Sequence, residues 1–200
     1  MKNIIKTAVI LAWAAVPLAA ADLQEIKLNK PQLTKGDNIM KAFSNRKSVR
    51  EFSAKQLDLQ TLSNLLWAAN GVNRDDGKRT APSAMNRQEI DVYVCRDDGA
   101  YFYNAHEHKL VPVSKSNCRQ FNVLTLILVA NAKEGEQYAA IDAGIVSQNI
   151  SLFAAGMGLA TVPRMSMPQQ EFRKILNLKE GQQMLLNHPV GYPAQITNKK

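Results

Sequence analysis

Three cations and a hydroxyl fall within five residues of the stretch Arg46-Lys47-Ser48-Val49-Arg50-Glu51-Phe52. In an extended loop side chains alternate, so Arg46, Ser48 and Arg50 share one side. Two guanidinium forks and a hydroxyl on one side suit a phosphate group. The same residues also make an ordinary solvated basic loop, and at this level both readings stand. A second stretch, Thr80-Ala81-Pro82-Ser83-Ala84-Met85-Asn86-Arg87-Gln88, lacks periodicity. It reads either as a plain connection or as a ligand loop in which Asn86 and Gln88 offer amide donors and acceptors. His106 and His108 flank Glu107, but no further ligands stand at metal-binding spacing, so both histidines read as exposed turn residues. No Ser-His-Asp order, phosphate-binding P-loop or repeat is visible. Gly156-Met157-Gly158 lies between a helix and a strand, the reverse of the dinucleotide-binding order.

The elements that must position these residues follow from periodicity. Asp37 can cap a short helix with Ile39, Met40 and Phe43. Asp58 precedes Leu59, Leu62, Leu66 and Ala69, spaced for a helix with one core face, and Gly71 closes it. Ile90 to Cys95 alternates as a strand, Asp97-Asp98-Gly99 turns, and Ala100–Tyr103 and Lys109–Val113 return. Val123–Val129 is continuously apolar, as in a strand buried on both faces. Glu136–Met157 is the longest helix, with one stripe at Val146, Ile150, Phe153 and Met157 and another at Ile141, Ile145 and Leu152. Apolar on so many sides, it is either the central helix of the domain or part of a subunit interface. Pro168 starts a short helix through Phe172, Ile175 and Leu176. Gln182–Leu186 is the last strand, and His188-Pro189-Val190-Gly191-Tyr192-Pro193 is a turn-rich exit.

Two hundred residues suffice for one domain, with 46% hydrophobic and 21% charged residues, a composition of folded chains. The formal charge is +8. The basic residues are dispersed and aromatics are few, which argues against nucleic-acid binding. Lys2 and Lys6, the apolar run Ala8–Ala15, Pro17 and Ala19-Ala20-Ala21 form the pattern of a signal peptide over residues 1–21. The run is short for a membrane span, so no stable insertion is expected once it is cleaved; the alternative reading of the segment is an uncleaved anchor. Without Lys2 and Lys6, 23 basic residues face 17 acidic ones, a charge of +6. Residues 22–36 read as a loose polar leader, and residues 37–200 as the folded domain. The chain is expected to be exported, to a periplasm. In an oxidising compartment Cys95 and Cys118 could pair, though Cys95 also fits a plain buried strand position.

Four motifs in order now resemble the flavin-dependent nitroreductases. The basic stretch resembles their Arg-x-Ser-x-Arg-x-Phe signature, and Pro82-Ser83-Ala84-Met85-Asn86-Arg87-Gln88 their Pro-Ser-x-x-Asn-x-Gln loop. Gly158-Leu159-Ala160-Thr161 resembles their Gly-Leu-Gly-Thr, with Ala160 in place of the second glycine. Val190-Gly191-Tyr192-Pro193 and the basic tail resemble their closing Val-Gly-x-Pro and cations. The resemblance implies an α+β fold: a mainly antiparallel sheet flanked by helices, with the long helix buried at a homodimer interface and FMN between subunits. It also implies that Arg46, Ser48 and Arg50 hold the FMN phosphate or ribityl group, with Lys47 near the pyrimidine edge. Pro82, Ser83 and Ala84 would come from the second subunit, Met85, Asn86 and Gln88 would follow in that loop, Pro163 and Arg164 would pass the flavin's other side, and Lys199 would reach the phosphate. The implied activity moves a hydride or electrons from a donor such as NAD(P)H through FMN to a nitro, quinone or other small acceptor. The alternative is an exported, non-catalytic binding protein for flavin or another phosphorylated ligand.

Overall fold

Every residue of Leu124–Ala130 (β5) is buried, and the reason is its place in the sheet. The computed structural model describes residues 23–131 and 136–195. Residues 1–21, read as a signal peptide, and Lys199 in the basic tail lie outside the described residues. Among those described, β5 pairs antiparallel with Ile90–Cys95 (β2) on one side and Gln183–Gly191 (β7) on the other. Beyond β2 come Ala100–Asn104 (β3), Lys109–Ser114 (β4) and Ile26–Lys27 (β1), and beyond β7 comes Ala160–Thr161 (β6). The order is β1-β4-β3-β2-β5-β7-β6, with every pairing antiparallel. Alternation along β5 divides the core. Leu124, Leu126 and Leu128 belong to one cluster with helices Leu59–Asn70 (α2) and Glu136–Gly156 (α3). Ile127 and Val129 join Phe172 and Leu176, at Gln169–Ile175 (α4), in the other. A strand covered on both faces has no polar side to show, hence its continuous apolar run.

The α2 boundaries agree with the sequence reading. Asp58 accepts from the Thr61 N–H at 2.7 Å, the side-chain cap that satisfies an orphan donor of the first turn. Gly71 ends the helix for a different reason than a left-handed cap: its φ is −78°, and a Cβ there would meet Trp67 Cδ1 at 2.6 Å. Before Ile39–Asn45 (α1) the capping side chain is Asn38, not Asp37. Asp37 instead pairs with Lys41 at 3.2 Å and donates its N–H to the Gly156 carbonyl at 2.8 Å.

Three further expectations are corrected. Of the segment 22–36 read as a loose leader, the described residues 23–36 are not loose. Ile26 and Lys27 pair with Leu110 and Lys109, Leu28 is buried, and the N–H groups of Asn29 and Gln32 donate to Ser63 and Asn64 on α2. His108 is not an exposed turn residue but half-buried: its Nε2 donates to the Asn29 carbonyl, so Nδ1 accepts from the Tyr103 hydroxyl, both at 2.9 Å. Burial lowers its pKa, against the opposing Asn29 bond. The last strand does not end at Leu186 but runs on through His188 and Pro189 to Gly191. Pro189 faces Thr125 of β5. Its missing N–H falls on the β6 side, where pairing is interrupted between Thr161 and the isolated bridge Arg164–Asn187.

Candidate functional site

The basic stretch emerges from α1 in extended form, with Arg46 as the helix's C-cap residue. Three backbone contacts hold it. The Val49 N–H donates to the Thr161 carbonyl of β6 at 2.9 Å, the Ser53 N–H to Tyr192 at 2.9 Å, and the Ala194 N–H to Glu51 at 3.1 Å. Beside it lies a cavity of about 710 Å³. One wall is Lys47, Ser48 and Arg50; another is α3, where Ser151, Ala154 and Ala155 are small enough to leave room. Gly158, in the left-handed region at φ 67°, carries the chain from α3 towards β6 and also lines the space. Arg46 is exposed but does not line it. Among the described residues no carboxylate lies within ion-pair reach of Arg46, Lys47 or Arg50.

Behind the cavity wall, in contact with its lining residue Thr161, lies a buried polar group that sequence reasoning missed. His188 of β7 is fully buried, with Nδ1 3.3 Å from Thr161 Oγ1 and Nε2 2.8 Å from Ser147 Oγ on α3. Ser151, one turn beyond Ser147, donates to the Ser147 carbonyl at 2.9 Å. Burial alone lowers the His188 pKa to about 3, so the ring is neutral. Ser147 and Ser151 stand one turn apart on α3 beside other polar residues, Gln148 and Asn149, so their spacing alone did not single out a buried partner.

The second predicted stretch stands elsewhere. Pro82 and Ser83 pack beside Asp142, near the start of α3, not in the cavity. Ala84, Met85, Asn86 and Gln88 are likewise absent from its lining. The Ala84 N–H donates to Asp142 Oδ2 at 3.0 Å, and the Gln88 N–H to Ser83 Oγ at 2.9 Å. From Asp142 to the cavity-lining residues Ser151 to Ala155 is nine to thirteen helical positions, about 14–20 Å at the α-helical rise. One chain therefore does not bring its own two motifs together.

Pro163 and Arg164 also stay outside the cavity lining. The Arg164 guanidinium lies 5.0 Å from the Phe121 ring centroid and donates to Gln120 Oε1 at 3.3 Å. Phe121 in turn packs on Phe52, at 5.6 Å between centroids. This aromatic contact is held by the β4–β5 connection, which crosses the end of β2 and is stapled there by a disulfide between Cys95 and Cys118, Cα atoms 5.3 Å apart.

Along the α1 and α3 surfaces, apolar side chains remain uncovered in the single chain. Met40 is 73% and Ile141 61% exposed, with Ile39 and Phe43 also exposed. The stripe at Ile141, Ile145 and Leu152 is thus not buried by this chain alone, whereas Val146 and Ile150 pack into the sheet cluster.

The comparisons with known proteins agree with this architecture. A provisionally named nitroreductase of Methanocaldococcus jannaschii is 32% identical over 197 residues, covering 85% of this chain and 93% of its own. A crystal structure of a provisionally named nitroreductase from Ralstonia eutropha JMP134 superposes with a TM-score of 0.80 at 34% identity, over 94% of this chain and 96% of that one. A Parabacteroides distasonis structure, provisionally named an NADH dehydrogenase/NAD(P)H nitroreductase, shares the fold at a TM-score of 0.57 and 22% identity, over 80% and 89% of the two chains. The Nitroreductase family model matches residues 43–192, a span that opens just before the basic stretch and closes at the end of β7, so strands β2 to β7, most of the cavity lining and both motif loops fall inside it: the chain belongs to the nitroreductase family and is an oxidoreductase.

Proposed function

We propose that this oxidoreductase holds FMN in the cavity between the basic stretch and α3, and that a second copy of the chain completes the site. The observation that carries the reading is the partnerless basic stretch: Lys47, Ser48 and Arg50 line the cavity with no carboxylate to neutralise the cations among the described residues. Like charges crowded on one loop repel each other, and a phosphate group offsets that repulsion with charge-assisted hydrogen bonds. The volume is in the range of small-molecule sites. Ser48 and Arg50 would bind the phosphate or ribityl group, with Arg46 adding charge at longer range. Lys47 would face the pyrimidine edge, where a cation stabilises negative charge as it develops. When bound, the flavin supplies the redox chemistry, taking a hydride from a donor and passing electrons to an acceptor. The protein binds and orients both. The donor is NAD(P)H or, outside the cytosol, another reductant; the acceptor is a nitro compound, a quinone or another small oxidant.

Distance and exposure support the proposed dimer. The Pro82–Gln88 loop is anchored at Asp142, nine to thirteen helical positions, about 14–20 Å, along α3 from the residues that line its own chain's cavity. A second copy on the exposed apolar faces of α1 and α3 would bury Met40 and Ile141 and bring that loop to the facing cavity. Covering such surface contributes roughly 25 cal/mol per Å² of apolar area.

Work outside the reducing cytosol is supported by the buried Cys95–Cys118 disulfide, together with the export signal read in residues 1–21. Among the described residues no helix is long and apolar enough to cross a membrane.

An absorption spectrum of the purified full chain tests the reading. Flavin bands that bleach on adding a donor and return with an acceptor are expected. A colourless protein that takes up no added FMN would refute it, and a bound flavin that no donor reduces would favour the non-catalytic binding protein.

A further inference from the structure

The Pro82–Gln88 loop carries an unusual backbone. Met85, Asn86 and Gln88 all lie in the left-handed region, at φ 52°, 53° and 53°. For residues with a Cβ this is unfavourable, and it persists only where the surroundings over-determine it. The loop's restraints converge on one helix. The Ala84 N–H donates to Oδ2 of Asp142 at 3.0 Å, and Asp142 is 3% exposed. One turn earlier on α3, Tyr138 lies under the Arg87 guanidinium at 5.7 Å. The loop also closes on itself, the Asn86 N–H donating to the Ser83 carbonyl at 3.0 Å and the Gln88 N–H to Ser83 Oγ at 2.9 Å.

A buried carboxylate calls for compensating partners, because burial without them is costly. Among the described residues no cation pairs with Asp142. Its hydrogen-bond partner is the loop backbone, through the charge-assisted kind of hydrogen bond. Beside it lies a cavity of about 10 Å³, lined in part by Ser83, Arg79 and Asp142. That is room for about one water. The Arg79 Nε is buried there with no hydrogen-bond partner.

We propose that Asp142 is a positioning residue: its carboxylate grips the Ala84 N–H and holds the left-handed loop in the form that presents Pro82, Ser83 and Asn86 to the flavin of a second copy. The grip on the loop stands on the geometry of one chain; what the loop meets rests on the function proposed above. The consequence is a division of labour along α3, with Asp142 setting the loop given to the partner and Ser151 to Ala155 walling the chain's own cavity.

Hydrogen–deuterium exchange with mass spectrometry on the full chain, alongside FMN titration followed by fluorescence quenching, tests this in wild type, Asp142→Ala and Asp142→Asn. In Asp142→Ala, amides of the 82–88 loop should exchange at least tenfold faster and the FMN Kd should rise at least tenfold, while amides of β2 and β5 keep wild-type rates. Asn retains an acceptor oxygen without the charge, so Asp142→Asn should show a smaller change in both, about threefold. Unchanged loop exchange in Asp142→Ala, or loop and strand amides accelerating together, would overturn the positioning role. Should the alanine variant not fold, the isosteric Asp142→Asn decides, and wild-type loop exchange in it overturns the proposal. A loosened loop with unaltered FMN affinity would overturn the placement of the loop in the flavin site while leaving the flavin cavity itself standing. A variant and wild type that both fail to bind FMN would refute the proposed function, and the exchange data would then judge the grip alone.

Discussion

Replacing His188 with asparagine should alter how stability depends on pH more distinctively than it alters stability itself. The ring is fully buried between β7 and α3, and burial lowers its pKa from 6.5 to about 3. As pH falls through 6.5 the unfolded chain's imidazole takes up a proton, while the folded one stays neutral until about 3. In that window the unfolded state binds more protons. The contribution is therefore complete above 6.5 and shrinks as pH falls, by about 1.4 kcal/mol per pH unit. Asp91 works in the opposite direction: burial raises its carboxyl from 3.8 to about 6, against the pull of Arg79. Its contribution is present below 3.8 and lost as pH rises through about 6. Between about 4 and 6 the two slopes offset each other in the wild type, so the comparison must be between proteins at each pH. Urea unfolding of wild type and His188→Asn at pH 4, 5, 6 and 7 is the assay. Asparagine does not titrate, so the wild-type advantage measured at pH 7 should shrink by about 3 kcal/mol at pH 4. A difference that stays constant over this range would show that the ring charges freely in the fold, and the buried, neutral His188 between Thr161 and Ser147 described here would be wrong.

Three other expectations can be checked directly. Removing the disulfide with Cys95→Ala and Cys118→Ala, separated by 23 positions, should lower unfolding free energy by about 3 kcal/mol on loop entropy, read as a shifted urea midpoint against the oxidised wild type. Arg50 lines the cavity and Arg46 does not, so Arg50→Ala should weaken FMN binding by about 1.5–3 kcal/mol and Arg46→Ala by less; the reverse order would move the phosphate. Ile141→Asp places a charge on the exposed face of α3 and should dissociate the dimer and release flavin together in sedimentation with absorbance detection, whereas a monomer with a full complement of FMN would remove the second copy from the site.

Legibility in the sequence tracked the distance over which each feature is decided. Helix α2 was plain because its cap Asp58 and its apolar spacing are local, and β5 because burial on both faces leaves no polar alternation. Strand β1 was missed: two residues show no period, and their partners Leu110 and Lys109 lie more than eighty positions away. The end of β7 was taken for a turn because Pro189 normally breaks a ladder; the ladder does break, but only toward β6, while pairing to β5 continues. The disulfide was undecidable because it needs a Cα separation that no spacing supplies. The basic stretch was found by residue type, yet Arg46 and Arg50 were grouped by alternation, and the C-cap geometry at Arg46 separates them. Asp142 carried no signal: an aspartate on an exposed helical turn and one buried against a loop backbone are the same letter.

The two ends of α3 make this last point more than a matter of bookkeeping. Its middle is fixed by Val146 and Ile150 in the sheet cluster, its end by α1, and its start by the hydrogen bond to Ala84. A rigid helix so clamped transmits a displacement at one end to the other, because close-packed interiors have little free volume to absorb it. A substitution at the cavity wall, such as Ala154→Leu, would force α3 away from the basic stretch and shift the loop that Asp142 holds. In a symmetric pair each chain would then suffer twice, through a narrowed cavity of its own and through a displaced loop from its partner. Loss of flavin binding in such a variant should therefore exceed that caused by an equal change at Ser44, which lines the same cavity outside α3.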